Sequence, residues 1–426
     1  MGSTGTDAAI PASRWDPCGQ ISACIADSAI LYRIVRYTPA DEVFPTDRPL
    51  PAKEMIGRGD EAFDLARELS NGMNRLIAGP RRMGKTTLCR AALDLVRAEG
   101  QYVASLDLFE FTEPARLAEA LVDRVIANRS GTARAKHAVA KGGRRVASMA
   151  ALTPVARMKA DLGEEFSLAL EPALRKRDPV GALGNAFRAA QRVCEIDNQR
   201  LVILIDEFQE LGAPRNPFGD PERVTKAMRA ALQDCDRITT LFTGSLEHMM
   251  RDLFGPAQRA FYRWGGWHEL WPIDAATWRA GILDRYLANG LRPADGAVER
   301  IVDLGEGHVR STMLIAKQAY LTAITLGEPT ISPTVAEVAL EMAMAADAPF
   351  HDAVVEDLRS GGREVLVTAE RVARGEPPYK DRSRASTAQR ALRVLGKKGV
   401  ADKTAPAGRG GWRIIDPLLR RYLARR

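Results

Sequence analysis

Between residues 57 and 273, short apolar runs alternate with stretches in which apolar residues recur at helical spacing. The helical spacing predicts helices at 57–72, 86–100, 114–127, 179–196 and 221–235. The apolar runs predict strands at 75–79, 102–109, 201–211, 238–245 and 267–273. Strands and helices that alternate in this way form a parallel sheet with helices on both faces, so we predict a doubly wound α/β core.

The pattern changes beyond residue 274. No strand pattern is present up to about residue 346, and four stretches with helical spacing predict a compact helical subdomain. From about residue 350 the chain predicts two or three helices and a glycine-rich hairpin at 403–415, which together suggest a winged helix. The resulting division is an irregular segment at 1–50, an α/β core at 51–273, a helical lid at 274–346 and a winged helix at 347–426.

Residues 128–160 interrupt the predicted core as a basic insertion without any acidic residue. Its basic residues are Arg129, Arg134, Lys136, Lys141, Arg144, Arg145, Arg157 and Lys159. A solvated insertion would have this composition, and so would a basic arm that binds nucleic acid or another acidic surface. Both interpretations stay open at this point.

Composition places the chain among ordinary globular proteins, with 46% hydrophobic and 27% charged residues. There is no run of about eighteen apolar residues and no secretory pattern, so we expect a cytoplasmic protein without a membrane partner. The five cysteines form no Cys-x-x-Cys pair and have no histidine at metal-ligand spacing, which favours reduced thiols. The net charge of +7 is weak evidence for an acidic partner; where the charge clusters is better evidence.

GPRRMGKT at 79–86 matches the phosphate-loop pattern G-x-x-x-x-G-K-[ST], after a predicted strand and before a predicted helix. Glycines let the backbone curl so that N–H groups point at phosphate oxygens, and the helix offers its positive N-terminal end. We expect Lys85 to reach the β- and γ-phosphates of ATP and Thr86 to bind Mg²⁺. The predicted nucleotide-binding residues of the loop are Gly79, Pro80, Arg81, Arg82, Met83, Gly84, Lys85, Thr86 and Thr87.

Asp206 and Glu207 end the most apolar of the predicted strands. A carboxylate at the carboxyl end of a strand beside the phosphate loop can hold magnesium, which is the role we predict for Asp206. A neighbouring carboxylate can orient and partly deprotonate the attacking water, which is the role we predict for Glu207. An acidic pair that merely ends a strand is the alternative, and the presence of the phosphate loop favours the catalytic interpretation.

Three further sets of polar residues are candidates for phosphate contacts. Thr243 or Ser245, at the end of the fourth strand, could sense the γ-phosphate, or could be ordinary turn residues. Arg259 or Arg263, before the fifth strand, could act on the nucleotide of a neighbouring subunit, or could be structural. Arg310, at the start of a lid helix, could touch phosphate from the lid side.

The motifs together resemble the archaeal-type ATPase family of P-loop NTPases, which is related to the AAA+ and STAND ATPases. The resemblance is carried by MIGRGDE at 55–61, GPRRMGKTTL at 79–88, VILIDEFQEL at 202–211, LFTGS at 241–245, the FYR segment at 256–273 and GWRIIDPLLRRYL at 411–423. It covers about residues 55–426 and leaves out the first fifty residues and the basic insertion.

The resemblance implies a five-stranded sheet in the order 5-1-4-3-2, a helical lid and a winged helix. It also implies that Gly57 and Arg58 lie near the adenine, and it supports the roles given to Asp206 and Glu207. The chain departs from the family where a threonine or serine takes the place of a sensor asparagine. A second departure is GEGHVRS, which replaces the more usual Gly-Gly-x-Pro turn. Both departures concern the rate of hydrolysis more than nucleotide binding.

Basic residues cluster in the predicted winged helix, at 380–426. They include Arg384, Arg390, Arg393, Lys397, Lys398, Lys403, Arg409, Arg413, Arg420, Arg421, Arg425 and Arg426. A basic winged helix favours duplex DNA as a partner, whereas the same residues could be solvated around a module that makes protein contacts.

The sequence therefore predicts an ATP- and Mg²⁺-dependent ATPase, slow or regulated, whose hydrolysis drives a conformational switch and which associates with DNA through 380–426. The alternative is a signalling switch whose winged helix binds protein, in a homo-oligomer or with another partner. A P-loop kinase is disfavoured because the chain has a long helical lid and no constellation of residues for a small substrate.

Overall fold

The computed structural model describes residues 38–129, 178–213, 216–245, 247–270, 272–379, 385–403 and 411–426. The chain divides into two compact units, residues 1–39 and 40–426, and every helix and strand given below belongs to the second. Most of the predicted irregular segment and most of the basic insertion lie outside the described residues. Among the described helices, none combines the length and the apolar character that crossing a bilayer requires.

Five parallel strands form the central sheet. They are β1 (Arg75–Ala78), β2 (Tyr102–Asp107), β3 (Leu201–Asp206), β4 (Ile238–Gly244) and β5 (Gly266–Glu269). Their order is β2-β3-β4-β1-β5, and all neighbouring pairs are parallel. The predicted α/β class and the predicted order 5-1-4-3-2 are confirmed. Because the strands are parallel, the segments that follow β1, β3 and β4 meet at one edge of the sheet.

Helices cover both faces of the sheet. They are α1 (Ala40–Val43), α2 (Gly59–Ser70), α3 (Lys85–Ala98), α4 (Pro114–Ala127), α5 (Pro179–Asp197), α6 (Pro221–Gln233) and α7 (Glu247–Phe254), of which α1 belongs to the lid. One apolar core joins α4, α5 and α6 to the sheet, and a second joins α2 and α3 to its other face. With α2 and α3 on one face and α4, α5, α6 and α7 on the other, the core has the doubly wound arrangement expected from the alternating pattern.

Strand β3 is shorter than predicted. The apolar pattern predicted a strand at 201–211, but the strand ends at Asp206, and Phe208–Gly212 form a 3-10 helix. Glu207 lies between them with a left-handed backbone (φ 52°), which ends the extended conformation. Phe208 and Leu211 remain buried, so the apolar run reflects burial rather than strand length.

The helical lid contains α8 (Ala275–Ala288), α9 (Ala297–Gly305), α10 (Val309–Leu326) and the first half of α11 (Pro333–Ser360), with a short parallel pair of β6 (Arg292–Pro293) and β7 (Thr330–Ile331). Helix α11 runs without a break across the boundary predicted between residues 346 and 347. Residues 40–44, which the sequence placed in the irregular segment at 1–50, also belong here. The α1 helix and the following Phe44 pack in the lid core, where the Phe44 ring lies 5.1 Å from Tyr286 and 6.4 Å from Tyr320.

The C-terminal group follows α11 and consists of α12 (Arg363–Ala373), α13 (Ala385–Lys397), β8 (Ala401–Asp402), β9 (Arg413–Ile414) and α14 (Pro417–Ala424). Strands β8 and β9 are antiparallel, and the group has its own apolar core. Helices followed by an antiparallel pair agree with the predicted element order, and the winged helix stays a prediction. Leu418 of α14 is buried in the lid core, so the end of the chain returns to the lid.

Candidate nucleotide-binding site

The phosphate loop connects the carboxyl end of β1 to the first turn of α3. Gly84 (φ 85°) and Arg82 (φ 65°) both have left-handed backbones, a conformation that glycine adopts freely and that other residues rarely adopt. A side chain at Gly79 would press on Leu270, whose Cβ lies 3.4 Å from the position of an added Cβ. The loop therefore has the curled backbone and close packing that the motif predicted.

Lys85 lies inside this loop and is almost completely buried. Its ammonium group donates hydrogen bonds to the carbonyl oxygens of Gly79 (2.8 Å) and Pro80 (2.7 Å). Burial lowers the pKa of Lys85 to about 8, although the nearby carboxylates of Glu207 and Asp206 oppose this shift. A phosphate that replaced the two carbonyl oxygens would favour the charged ammonium more strongly, because it carries a full negative charge.

Asp206 lies beside the loop, as the parallel sheet requires. Its Oδ2 accepts a hydrogen bond of 2.9 Å from the hydroxyl of Thr86, and its Oδ1 accepts one from the hydroxyl of Thr243. A hydroxyl and a carboxylate next to a phosphate position are oxygen ligands of the kind Mg²⁺ takes, since that ion is held by one or two carboxylates plus phosphate oxygens and waters. The described residues contain no cluster of three metal-binding side chains, so nucleotide phosphates would have to complete this site.

Glu207 follows Asp206 and is held by two side chains. Its Oε2 accepts a hydrogen bond of 2.7 Å from the Ser245 hydroxyl and another from the Gln209 amide. Gln209 is fully buried, and its Oε1 accepts from the backbone N–H of Ser245 (3.2 Å). An added Cβ at Gly244 would lie 2.6 Å from Gln209 Oε1, so the small residue between Thr243 and Ser245 makes room for this network.

Gln209 is a site residue that the sequence interpretation missed. It lay within an apolar run that predicted a strand, so its polar character was not interpreted. The signal that could have found it is the interruption of that run by a polar residue two positions after Glu207. Thr243 and Ser245, predicted as possible sensors, each contact one of the two carboxylates.

A cavity of about 500 Å³ opens above the phosphate loop, between the core and the lid. Its phosphate end is lined by Arg81, Arg82, Gly84, Lys85, Thr86, Thr87, Glu207, Ser245 and Arg310. Its other end is lined mainly by residues 45–50, Met55, Ile56, Arg58, Ile273, Trp278 and Met313. Hydroxyls, cations and carboxylates at one end and mostly apolar side chains at the other match the polarity of a nucleotide, whose phosphates and base differ in the same way.

The segment 45–50 is the second part of the site that the sequence interpretation missed. It is fixed to the lid by Arg285, whose guanidinium donates to the carbonyl oxygens of Val43 and Glu54. The ammonium group of Lys317 pairs with Asp41 on the same side. No regular spacing of apolar residues marks this segment, so only the tertiary structure places it in the cavity wall.

Arg58 lines the more apolar part of the cavity and Gly57 precedes it in the chain, and their place near an adenine stays a prediction. An added Cβ at Gly57 would lie 2.4 Å from Thr277 Cγ2, and the backbone is left-handed there (φ 70°). The buried Arg58 donates to Glu61 Oε2 (2.7 Å), and His268 contacts the other oxygen of Glu61 (2.5 Å). Burial opposes ionisation of Glu61, but His268 and Arg58 outweigh it and lower its pKa, so a charged carboxylate fixes Arg58.

Arg82 and Arg310 approach the phosphate end from opposite sides and meet the same carboxylate. Arg310 pairs with Asp347 of α11, and Arg82 lies 3.9 Å from Asp347 and 3.6 Å from Asp416. Both guanidinium groups also lie over the ring of Phe350, at 5.7 and 5.8 Å from its centroid. The predicted lid arginine therefore lines the cavity while it is held by an ion pair.

Arg259 and Arg263 lie away from this cavity. They precede β5, and Gly266 at the start of β5 pairs with Arg75 at the start of β1. The phosphate loop follows the carboxyl end of β1. Both arginines therefore lie near the amino ends of the strands, on the side of the sheet away from the loop. Arg263 is exposed against the ring of Tyr262, at 5.3 Å. A contact with the nucleotide of the same chain is excluded by this placement, and a role toward a neighbouring subunit stays a prediction.

Comparison with known proteins agrees with this geometry at the level of fold. No protein-family model and no curated protein matches the chain. Among solved structures, the Walker-type ATPase PABY2304 of Pyrococcus abyssi is similar over 89% of this chain and 99% of its own, with a TM-score of 0.62 and 17% sequence identity. The ORC2 protein of Aeropyrum pernix, in its complexes with ADPNP and ADP, is similar over 91% of this chain and 96% of its own, with a TM-score of 0.54 and 18% identity. The chain therefore shares the fold of these two proteins, and the resemblance inferred from the motifs is confirmed as a likeness of fold.

Proposed function

We propose that this chain is a Mg²⁺-dependent ATPase that binds ATP between the α/β core and the lid. The observation that carries the proposal is that Lys85, Thr86 and Glu207 line one cavity, while Asp206 accepts a hydrogen bond from Thr86. These residues come from two separate motifs, the phosphate loop and the end of β3, and each has the chemistry that its position demands.

Each side chain has a defined task in this proposal. Lys85 leaves the carbonyl oxygens of Gly79 and Pro80 and contacts the β- and γ-phosphates, while the loop N–H groups hold their other oxygens. Thr86 and Asp206 would hold Mg²⁺, which neutralises phosphate charge as the γ-phosphoryl group leaves. Glu207, fixed through one carboxylate oxygen by Ser245 and Gln209, uses the other oxygen to orient the attacking water and to accept its proton.

The base would lie at the apolar end of the cavity. Residues 45–50, Met55 and Ile56 form one wall, and Ile273, Trp278 and Met313 of the lid form the other. Because the lid and the core both line this end, nucleotide binding would fix their relative position. Proteins commonly change conformation by closing two of their parts around a ligand that contacts both, here the lid and the core.

Association with duplex DNA is the second part of the proposal, and helix α13 supports it. Arg390, Arg393 and Lys397 are exposed and lie three and four residues apart, so they share one face of the helix. Arg393 and Lys397 also line a cavity of about 380 Å³ that reaches Ser245 beside Glu207. Phosphates bound by this face would therefore lie near the hydrolytic carboxylate.

The arginines at 420–426 are engaged in ion pairs, so the proposed DNA surface is smaller than the whole basic region at 380–426. Arg420 and Arg421 pair with Glu306, which follows α9, Arg425 pairs with Glu341 of α11, and Arg426 lies 3.9 Å from both Asp352 and Glu370. Side chains engaged in this way hold the C-terminal group against the lid. If α13 does not bind DNA, these ion pairs favour the alternative function, in which the chain is a nucleotide switch whose C-terminal group makes protein contacts.

Two measurements test the proposal. Phosphate release from ATP should require Mg²⁺. A chain that neither released phosphate from ATP nor bound ATP would contradict the ATPase assignment. For DNA, binding of a labelled duplex by the full chain should weaken steeply between about 50 and 200 mM salt. Replacement of Arg390, Arg393 and Lys397 by Gln should remove that binding. As a control of equal charge change, replacement of the exposed Arg67, Arg97 and Arg188 by Gln should leave it largely intact.

A further inference from the structure

The phosphate end of the cavity contacts a carboxylate from the end of the chain. Asp416 comes immediately before α14, and its Oδ2 lies 3.6 Å from the guanidinium of Arg82 in the phosphate loop. Asp347, which is 2% exposed, lies between Arg82 and Arg310. These two carboxylates thus face two arginines that line the cavity, and the exposed Asp47 lies 3.7 Å from Arg310 as a third.

Asp416 is built firmly into its position. Its Oδ1 accepts hydrogen bonds from the backbone N–H groups of Leu418 (2.9 Å) and Leu419 (3.3 Å), which cap α14, and from the Ser311 hydroxyl (3.2 Å). Burial disfavours the charged form, but His308 and the backbone N–H groups outweigh it, so the pKa of Asp416 is lowered and it remains a carboxylate. Its other oxygen is the one that faces Arg82.

Arg82 is the movable member of this group. Its side chain is 36% exposed, whereas Asp347 is buried, and its distances of 3.6 and 3.9 Å to the two carboxylates are those of ion pairs rather than hydrogen bonds. Its left-handed backbone is disfavoured for a residue with a side chain, and the contacts with Asp416, Asp347 and Phe350 hold it there. The C-terminal group therefore helps to set the conformation of the phosphate loop.

A triphosphate would oppose these contacts. It would bring several negative charges next to Lys85, close to the buried Asp347, which contacts both Arg82 and Arg310, and to the partly buried Asp416, which contacts Arg82. Like charges repel strongly where water is largely excluded, and phosphate is the stronger ligand for a guanidinium because it offers more oxygens and more charge. ATP and the carboxylates therefore compete for the same arginines.

We propose that Asp347 and Asp416 form a carboxylate latch that docks the C-terminal group on the phosphate loop, and that ATP opens this latch by competing for Arg82 and Arg310. The inference rests on the proposed function, because it assumes a triphosphate in the cavity. Coupling between two sites is reciprocal, so a latch that ATP weakens must in turn weaken ATP binding.

Neutral isosteric variants test the latch. Asp416→Asn removes the charge and keeps a residue that caps a helix well. Asp347→Asn removes the charge of the second carboxylate. In the double variant, ATP should bind about tenfold more tightly, within the range of coupling between sites. The matched control is Glu341→Gln, which removes a different ion pair between α11 and the end of the chain, with Arg425 at 2.6 Å. Its ATP affinity should stay within about twofold of the unmodified protein.

Hydrogen exchange of the unmodified chain provides a second readout that needs no variant. Addition of ATP with Mg²⁺ should accelerate amide exchange in residues 411–426, and AMP, which lacks the outer phosphates, should not. An unchanged or weaker ATP affinity in a folded double variant would overturn the latch, and so would slower exchange of 411–426 with ATP. If the unmodified chain binds no ATP at all, the proposed function fails instead, and the two failures are therefore distinguishable.

Discussion

The hydroxyl of Ser245 donates a hydrogen bond of 2.7 Å to Glu207 Oε2. Gln209 donates to the same oxygen, so both donors fix one side of the carboxylate of Glu207, which lines the cavity. This arrangement orients a general base without engaging the oxygen that would accept the proton from water. Ser245 and Gln209 are therefore positioning residues in the proposed mechanism, since they act through Glu207.

Ser245→Ala should lower kcat about tenfold, because a general base contributes on the order of 100-fold or more and loses part of that effect when it is poorly oriented. ATP affinity should change less than twofold, since the hydroxyl contacts the carboxylate and not the loop. Ser70→Ala is a matched control, because the Ser70 hydroxyl also donates to a glutamate, Glu99 Oε2 at 2.6 Å, but on the exposed surface. Equal activity of the two variants would contradict the positioning role.

Glu207→Gln should bind ATP as well as the unmodified chain and should reduce turnover at least about 100-fold, because the amide cannot accept the proton from water. The amide is isosteric, so the contact with Ser245 can remain. Single-turnover phosphate release measured beside equilibrium ATP binding separates the two effects. A variant that retained full turnover would remove Glu207 from the mechanism.

Lys85→Ala should weaken ATP binding at least about tenfold, because the ammonium is the principal charge inside the phosphate loop. It also removes the hydrogen bonds to Gly79 and Pro80, so circular dichroism must show that the variant is folded. Lys226→Ala, at an exposed lysine paired with Glu222 at 2.6 Å, is the control and should bind ATP normally. Unchanged affinity in Lys85→Ala would contradict the assignment of the loop.

Sequence and structure agree most closely where local chemistry dictates the arrangement. A phosphate loop needs its glycines, lysine and threonine at fixed spacing, and the alternating pattern implies a parallel sheet, so the sequence was sufficient to predict the fold class and the contact region of Thr86 and Asp206. The roles of these residues stay predictions until activity is measured.

The missed features depend on tertiary contacts. Gln209 was hidden in an apolar run, because Phe208 and Leu211 are buried in a 3-10 helix and not in a strand. Asp416 and Arg82 are far apart in the chain, and the spacing of apolar residues gives no sign that they are in contact. Arg129 illustrates the same limit, since it was counted in the basic insertion but pairs with Asp197 of α5 at 2.9 Å and is nearly buried.

Folding stability should fall as the pH drops below about 6.5. Burial lowers the pKa of both His308 and His351, and His351 is 1% exposed, with no hydrogen-bond partner for either ring nitrogen among the described residues. The unfolded chain then binds protons that the folded chain does not, so the free energy of unfolding decreases as pH falls from the unfolded pKa toward the folded values. Asp416 and Asp347 oppose this shift at His351, and Arg82 and Arg310 add to it.

His351→Leu isolates this contribution. The apolar side chain should raise the free energy of unfolding at pH 7 by about 1 kcal/mol, because it removes a buried polar group without a partner. It should also reduce the loss of stability between pH 7 and pH 5.5. Urea unfolding at both pH values measures each effect, and a variant with the same pH dependence as the unmodified chain would show that His351 does not carry it.

Phe44 tests whether the segment before the predicted core belongs to the lid. Its ring is fully buried between Tyr286 and Tyr320, and the cavity-lining residues 45–50 follow it directly. Phe44→Ala should lower the free energy of unfolding by about 3 kcal/mol, as expected for a large buried aromatic side chain, and should weaken ATP binding because the cavity wall loses its anchor. Phe63→Ala, at a phenylalanine that is 58% exposed on α2, should change stability by less than about 1 kcal/mol. If both variants unfold at the same urea concentration as the unmodified chain, residues 40–50 do not stabilise the lid, and their place in the nucleotide site is wrong as well.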